Sequence, residues 1–241
     1  MKKLKLKKSV LRILLVIFSL MFVFSLFHIF EWLNESRKTK KISDEINENT
    51  NIDIAEGIFE VDFDKLTKMN SDTIAYLLVN NTNIEYPVVK GTNNDYYLYH
   101  DFNKKRSEAG WVFMDSNNSF DGTDKNIIIY GHNRLDGSMF GTLNKTLDEK
   151  WYSDKDNLII RLIDKNKTTE YKVFSMYKIK EENYYINTNF SDKSFKEFVD
   201  KINSRSVYNF GDDLSQVKQV LTLSTCTLRD DYRMVVHAYK V

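Results

Sequence analysis

The chain has 241 residues, 14% of them aromatic, with 8 Gly and a single Pro; this suits one packed domain plus an appendage and excludes a collagen-like or disordered body. Its formal net charge of +1 conceals six basic groups and no acid in residues 1–12 (Lys2, Lys3, Lys5, Lys7, Lys8, Arg12), so the remainder sums to about −5, which argues against nucleic acid as a partner because phosphate binding needs a basic footprint. The single cysteine, Cys226, excludes an internal disulfide and a Cys-cluster zinc site, and His28, His100, His132 and His237 show no HExxH-type spacing, so neither metal nor cofactor is implied.

Residues 10–30 are almost wholly apolar, a run of about 20 residues that matches the roughly 30 Å of a bilayer core. Lysines precede the run, Trp32 follows it, and no A-x-A-like cleavage site or polar helix face interrupts it. The pattern predicts a basic cytoplasmic tail over 1–9 and an uncleaved transmembrane signal anchor over 10–30. The basic groups ahead of the span outnumber Arg37, Lys38, Lys40 and Lys41 behind it, which favours an N-terminus inside and a body outside. Residues 31–54 read as a stalk or a short helix laid against the body, with Trp32, Leu33, Ile42 and Ile46 as spaced apolar points and a break near 47–51.

The body, 55–241, reads as mainly β with helices. Short runs rich in Ile, Val, Tyr and Phe, bounded by Asn, Asp, Gly and Lys, predict strands over 73–79, 86–89, 110–114, 126–130, 158–162, 170–177, 219–224 and 234–241. About eight such strands suit a closed or nearly closed barrel, which leaves few exposed edges. Phe195, Phe198, Val199 and Ile202 recur at helical spacing, so 191–204 is an amphipathic helix with Ser191 or Asp192 as its N-cap; a second helix is expected near 62–70.

Three residues could carry chemistry. Cys226 ends the strand-like run Val220–Thr225, where a thiol can be reached; position alone fits an inert buried cysteine better. His132 follows Asn126–Gly131, where Gly131 would permit a sharp exit from a buried strand and an imidazole could trade protons near neutral pH. Arg233 opens the last strand, across a short loop from Cys226, and would face it if the two runs pair; Arg229 in the loop is a rival, and an ion pair with Asp230 or Asp231 an alternative role. His237, mid-strand, reads better as a structural group, and for His100 a hydrogen-bonded structural role fits as well as any.

Taken in order, Ile128-Ile129-Tyr130-Gly131-His132, Thr222-Leu223-Ser224-Thr225-Cys226 and Arg233-Met234-Val235-Val236 resemble the histidine motif, the TLxTC motif and the downstream arginine of sortases. The helix at 191–204, the TLSTC form, and the stretches 94–100 and 137–140 are similar to class B. The resemblance implies a sortase-like closed β-barrel with an N-terminal helical appendage and a helix inserted before the Cys-bearing strand. It also implies a cysteine transpeptidase that cleaves an NPxTG- or NPQTN-like sorting signal after Thr through a thioacyl intermediate. The protein would then pass to a peptidoglycan amine at the outer face of the membrane. Carried over residue by residue, Cys226 is the nucleophile, His132 the general acid/base and Arg233 the oxyanion or substrate stabiliser, while Ser224, Thr225, Asn94, Leu98, Tyr185 and Ile186 would line the peptide groove. The implied partners are sorting-signal-bearing surface proteins and a cell-wall amine. An extracellular cysteine peptidase using the same residues, and a membrane-anchored binding module, are the competing readings.

Overall fold

The structure is a computed structural model that describes residues 8–54, 56–180, 182–226 and 232–241, with Cys226 described by its backbone. Lys2, Lys3, Lys5 and Lys7, and Arg229 in the loop after Cys226, lie outside the described residues.

Helix α1 (Lys8–Asn47) runs without interruption for 40 residues, which contain neither Gly nor Pro. Its apolar part is exposed and long enough to cross a membrane, which fits a single-pass anchor. The same helix continues into the predicted stalk, where Thr39, Ile42 and Ile46 are buried against the body. A hairpin of β1 (Thr50–Asp53) and β2 (Ile58–Val61) follows, then α2 (Phe63–Met69), capped by the Asp62 carboxylate on the Lys65 amide at 3.0 Å.

Eight strands then form the barrel: β3 (Thr73–Val79), β4 (Glu85–Val89), β5 (Phe113–Met114), β6 (Asn126–His132), β7 (Ile159–Ile163), β8 (Thr168–Lys180), β9 (Val220–Cys226) and β10 (Tyr232–Lys240). Helix α3 (Glu149–Tyr152) precedes β7 and α4 (Asp192–Ser204) precedes β9. The order around the barrel is β10-β8-β7-β3-β4-β5-β6-β9, closed by β9 on β10. Only β4–β5 and β6–β9 are parallel among the described pairs; each needs a long crossover between its strands.

Side chains alternate between the two faces of each strand. Ile127, Ile129, Leu221, Leu223, Met234, Val236 and Ala238 belong to the main core inside the barrel. Residues of the other parity on β8, β9 and β10 face α4, where Phe195, Phe198, Val199 and Ile202 pack with Phe174, Tyr177, Val220 and Val235. Each of those four helix side chains contributes about 1.5–3 kcal/mol by leaving water. Ser191 is the N-cap, its hydroxyl accepting from the Ser194 amide at 3.2 Å.

Two local expectations change. The strand foreseen over 110–114 shrinks to Phe113–Met114, because Gly110 sits at φ +57° and the Trp111 amide donates to the Tyr97 carbonyl instead of a neighbouring strand. Gly131 does not turn the chain out of β6, which continues through His132; its missing side chain makes room for the Phe140 ring, which a Cβ would approach to 2.7 Å.

Candidate active site

Strand β9 lies between β6 and β10, and its register determines what meets at its end. The parallel ladder with β6 pairs Tyr130 with Ser224, Gly131 with Thr225 and His132 with Cys226. On the other side the antiparallel ladder pairs Val235 with Ser224, and an unbroken continuation by two residues would set Arg233 opposite Cys226. The Met234 amide at the intervening step donates to Thr225 Oγ1 at 2.9 Å. His132 and Cys226 are therefore ladder partners on β6 and β9, and Arg233 stands on β10 two residues before the Val235–Ser224 rung.

His132 is 5% exposed, and its Nε2 lies 2.8 Å from the Leu98 carbonyl. A carbonyl can only accept, so Nε2 carries the proton in the neutral ring. The ring is also confined by Gly110, whose backbone approaches so closely that a Cβ there would fall 2.8 Å from His132 Cδ2. Arg233 is half-buried at the start of β10.

A groove of about 210 Å³ opens beside these residues. Asn94, Leu98, Tyr185, Ile186, Ser224 and Thr225, the six residues expected there, all line it, together with Arg233, Phe113, Tyr130, Asp95, Glu182 and Asn183. Some of the six are already engaged within the protein. Asn94 donates to Asp115 at 2.9 Å and accepts from the Ser116 amide at 2.8 Å, and Asp115 also accepts from the Tyr130 hydroxyl. The Asn94 side chain thus ties one groove wall to β5 and β6. A larger cavity of about 300 Å³, between Phe120, Asp164, Tyr171 and Lys240, lies at the other end of the barrel and holds none of the expected residues.

The second wall is the 3-10 turn Tyr184–Ile186, held from below by a buried polar chain. Asn126 donates to the carbonyls of Tyr185 (3.1 Å) and Asn187 (2.9 Å), and its own oxygen accepts from Thr222 at 2.6 Å. With its proton committed, Thr222 Oγ1 accepts from His237 Nδ1 at 2.9 Å, and His237 Nε2 accepts from the Tyr177 hydroxyl at 2.8 Å. Burial lowers the His237 pKa to about 3, so the ring is neutral; its role is structural, as expected from its mid-strand position. His100 donates to the Tyr96 carbonyl at 2.7 Å and stacks on the Tyr96 ring, likewise away from the groove.

Asn126, Gly110 and the acidic groove residues Asp95 and Glu182 were not foreseen. Asn126 carried a signal, an amide opening a run of buried isoleucines. A polar side chain at the mouth of a buried strand has to be paired.

Comparison with known proteins places this arrangement in a family. A sortase-domain family model matches residues 77–241. Sortase B of Listeria monocytogenes is 37% identical over 179 residues, covering 71% of this chain and 70% of that protein. Sortase B of Staphylococcus aureus is 33% identical over 165 residues, 68% of this chain and 67% of the relative. Among solved structures, sortase B from B. anthracis in complex with AAEK1 superposes with a TM-score of 0.74 at 30% identity, covering 87% of this chain and 99% of that one. A S. aureus sortase B–substrate complex gives 0.68 at 32% identity, covering 74% of this chain and 84% of that one. The closed barrel of eight strands, its long N-terminal helix and these relatives establish that the chain belongs to the sortase family, a family of cysteine transpeptidases, and within it to class B.

Proposed function

We propose that the protein cleaves an NPxTG- or NPQTN-like sorting signal after its Thr and joins the new carboxyl end to a peptidoglycan amine, with Cys226, His132 and Arg233 as the reacting constellation. The observation that supports this reading is the β6–β9–β10 register, which pairs His132 with Cys226 and, extended by two residues, would bring Arg233 across from it.

The Cys226 thiolate adds to the Thr carbonyl carbon, and the guanidinium of Arg233 offsets the charge that develops on the carbonyl oxygen. His132, held by Leu98 through Nε2, delivers the Nδ1 proton to the leaving amine as the C–N bond breaks. A thioester remains. The acceptor amine attacks it, neutral His132 takes the amine's proton on Nδ1, and the thiolate leaves. The groove walls, Asn94–Leu98 on one side and Tyr185–Ile186 on the other, hold the signal peptide and limit access of water to the thioester. The apolar part of α1 anchors the enzyme, with the N-terminus inside and the barrel facing the cell wall.

The test uses the full chain in detergent with a fluorogenic NPxTG-like peptide, with and without Cys226→Ala. Equal cleavage by both proteins would sink the assignment. Addition of triglycine or diaminopimelate then separates a transpeptidase from a peptidase, because only the former yields the ligated product.

A further inference from the structure

Helix α1 does not stop interacting where its apolar run stops. Five residues beyond Phe30 it begins to touch the barrel, and its first two polar contacts fall on the two segments that hold His132. Glu35, whose side chain is 19% exposed, accepts a hydrogen bond from the Ser107 hydroxyl. Ser36 Oγ donates to Asp136 Oδ2 at 2.5 Å and accepts from Arg134 Nη2 at 3.2 Å. Further along, Thr39, Ile42 and Ile46 seat the helix on the body.

The Ser107 contact leads to the imidazole in two steps. Ser107 organises a tight turn: its amide donates to the Tyr99 carbonyl, its hydroxyl accepts from the Ala109 amide, and its carbonyl accepts from the Gly110 amide. Gly110 in turn lies against His132 Cδ2 and the Leu98 carbonyl that holds His132 Nε2. The Ser36 contact leads there by the other flank. Arg134 and Asp136 form an ion pair at 2.9 Å, with side chains 9% and 15% exposed, in the loop directly after His132. Asp136 also accepts from the Ser138 amide and hydroxyl, and the loop returns to Phe140, whose amide donates to the His132 carbonyl at 3.0 Å.

We propose that Glu35 and Ser36 are positioning residues for the transfer reaction: the second turn of the anchor helix beyond its apolar run braces His132 through both of its supports. This rests on the reading of His132 as the acid/base group. Neither residue touches substrate; both act through Ser107 and through Arg134–Asp136.

The experiment uses the full chain in nanodiscs. Glu35→Ala combined with Ser36→Ala removes both contacts and leaves the Thr39–Ile42–Ile46 seat. A displacement of the imidazole by a fraction of an ångström then lowers kcat on the order of 10²-fold while KM stays within about threefold. Glu35→Gln combined with Ser36→Thr keeps an acceptor for Ser107 and a hydroxyl for Asp136, and restores kcat to within about threefold of the parent. If the double alanine protein does not fold, Ser36→Ala alone carries the same split at on the order of tenfold. Three results overturn the brace: an unchanged kcat in the alanine variants, a loss carried by KM, or no rescue by the conservative pair. Cys226→Ala and His132→Ala run in parallel keep the two readings apart. If both cleave as the parent does, the site assignment falls and the brace falls with it. If both are inactive while the alanine pair is fully active, the brace alone falls.

Discussion

Gly110→Ala tests the packing around His132 with a single methyl group. At φ +57° an L side chain costs about 1–2 kcal/mol before any contact is counted. The added Cβ would lie 2.6 Å from the Tyr97 carbonyl oxygen, 2.8 Å from the Leu98 carbonyl oxygen and 2.8 Å from His132 Cδ2. Two of these neighbours are backbone and cannot rotate away. Relieving the third means moving the imidazole by about 0.6 Å, from 2.8 Å to the 3.4 Å at which ordinary contact begins. Overpacking adds about 1–3 kcal/mol, for a total of about 2–5 kcal/mol. For a chain of this size that lowers Tm by roughly 4–20 °C. The same wedge enters the Leu98–His132 hydrogen bond, so kcat for the fluorogenic peptide falls on the order of 10- to 100-fold. Differential scanning fluorimetry and steady-state kinetics on the same preparation read both effects. A variant that melts with the parent and turns over at the parental rate would refute the claim that Gly110 confines His132.

Two further outcomes follow from the buried polar chain. Asn126→Ala leaves the Tyr185 and Asn187 carbonyls unpaired, at about 1–3 kcal/mol each, and frees the groove wall they belong to, so KM for the peptide rises more than kcat falls; an unchanged KM removes the tether from the account. His237 has a folded pKa near 3 against an ordinary value of 6.5, so below pH 6.5 the unfolded chain takes up a proton that the folded chain does not. Stability is therefore full above pH 6.5 and declines on acidification at up to about 1.4 kcal/mol per pH unit until the folded pKa is reached. Melting curves between pH 7 and pH 4.5 check the sign: His237→Gln should lose less stability over that range than the parent, and parallel curves would contradict it.

Much of the barrel was legible because each strand is short, β-branched or aromatic, and set off by turn-forming residues, as Thr73–Val79 shows. Helix α4 was equally plain: four apolar side chains at helical spacing behind a serine cap can bury themselves in one way only. Gly110 was misread because it heads an apolar run, and the groups that leave no room for a side chain there, on Tyr97, Leu98 and His132, are distant in sequence. The three motif residues were singled out through their neighbours in the chain. The groove walls came from likeness to class B alone, since nothing local in 94–98 or 184–186 states that the two turns face each other. Glu35 and Ser36 were invisible, because a serine in a charged helix acquires a role only once Arg134 and Asp136 are folded against it.

The parallel pairing of β6 with β9 also bears on how the chain reaches its native state. Every rung of that ladder, from Asn126–Val220 to His132–Cys226, joins residues 94 positions apart. Closing so large a loop is costly before any contact repays it, and sheets built on distant pairings fold in milliseconds to seconds, not microseconds. The residues proposed to react meet only across that ladder, so their site takes shape only once these distant strands have paired.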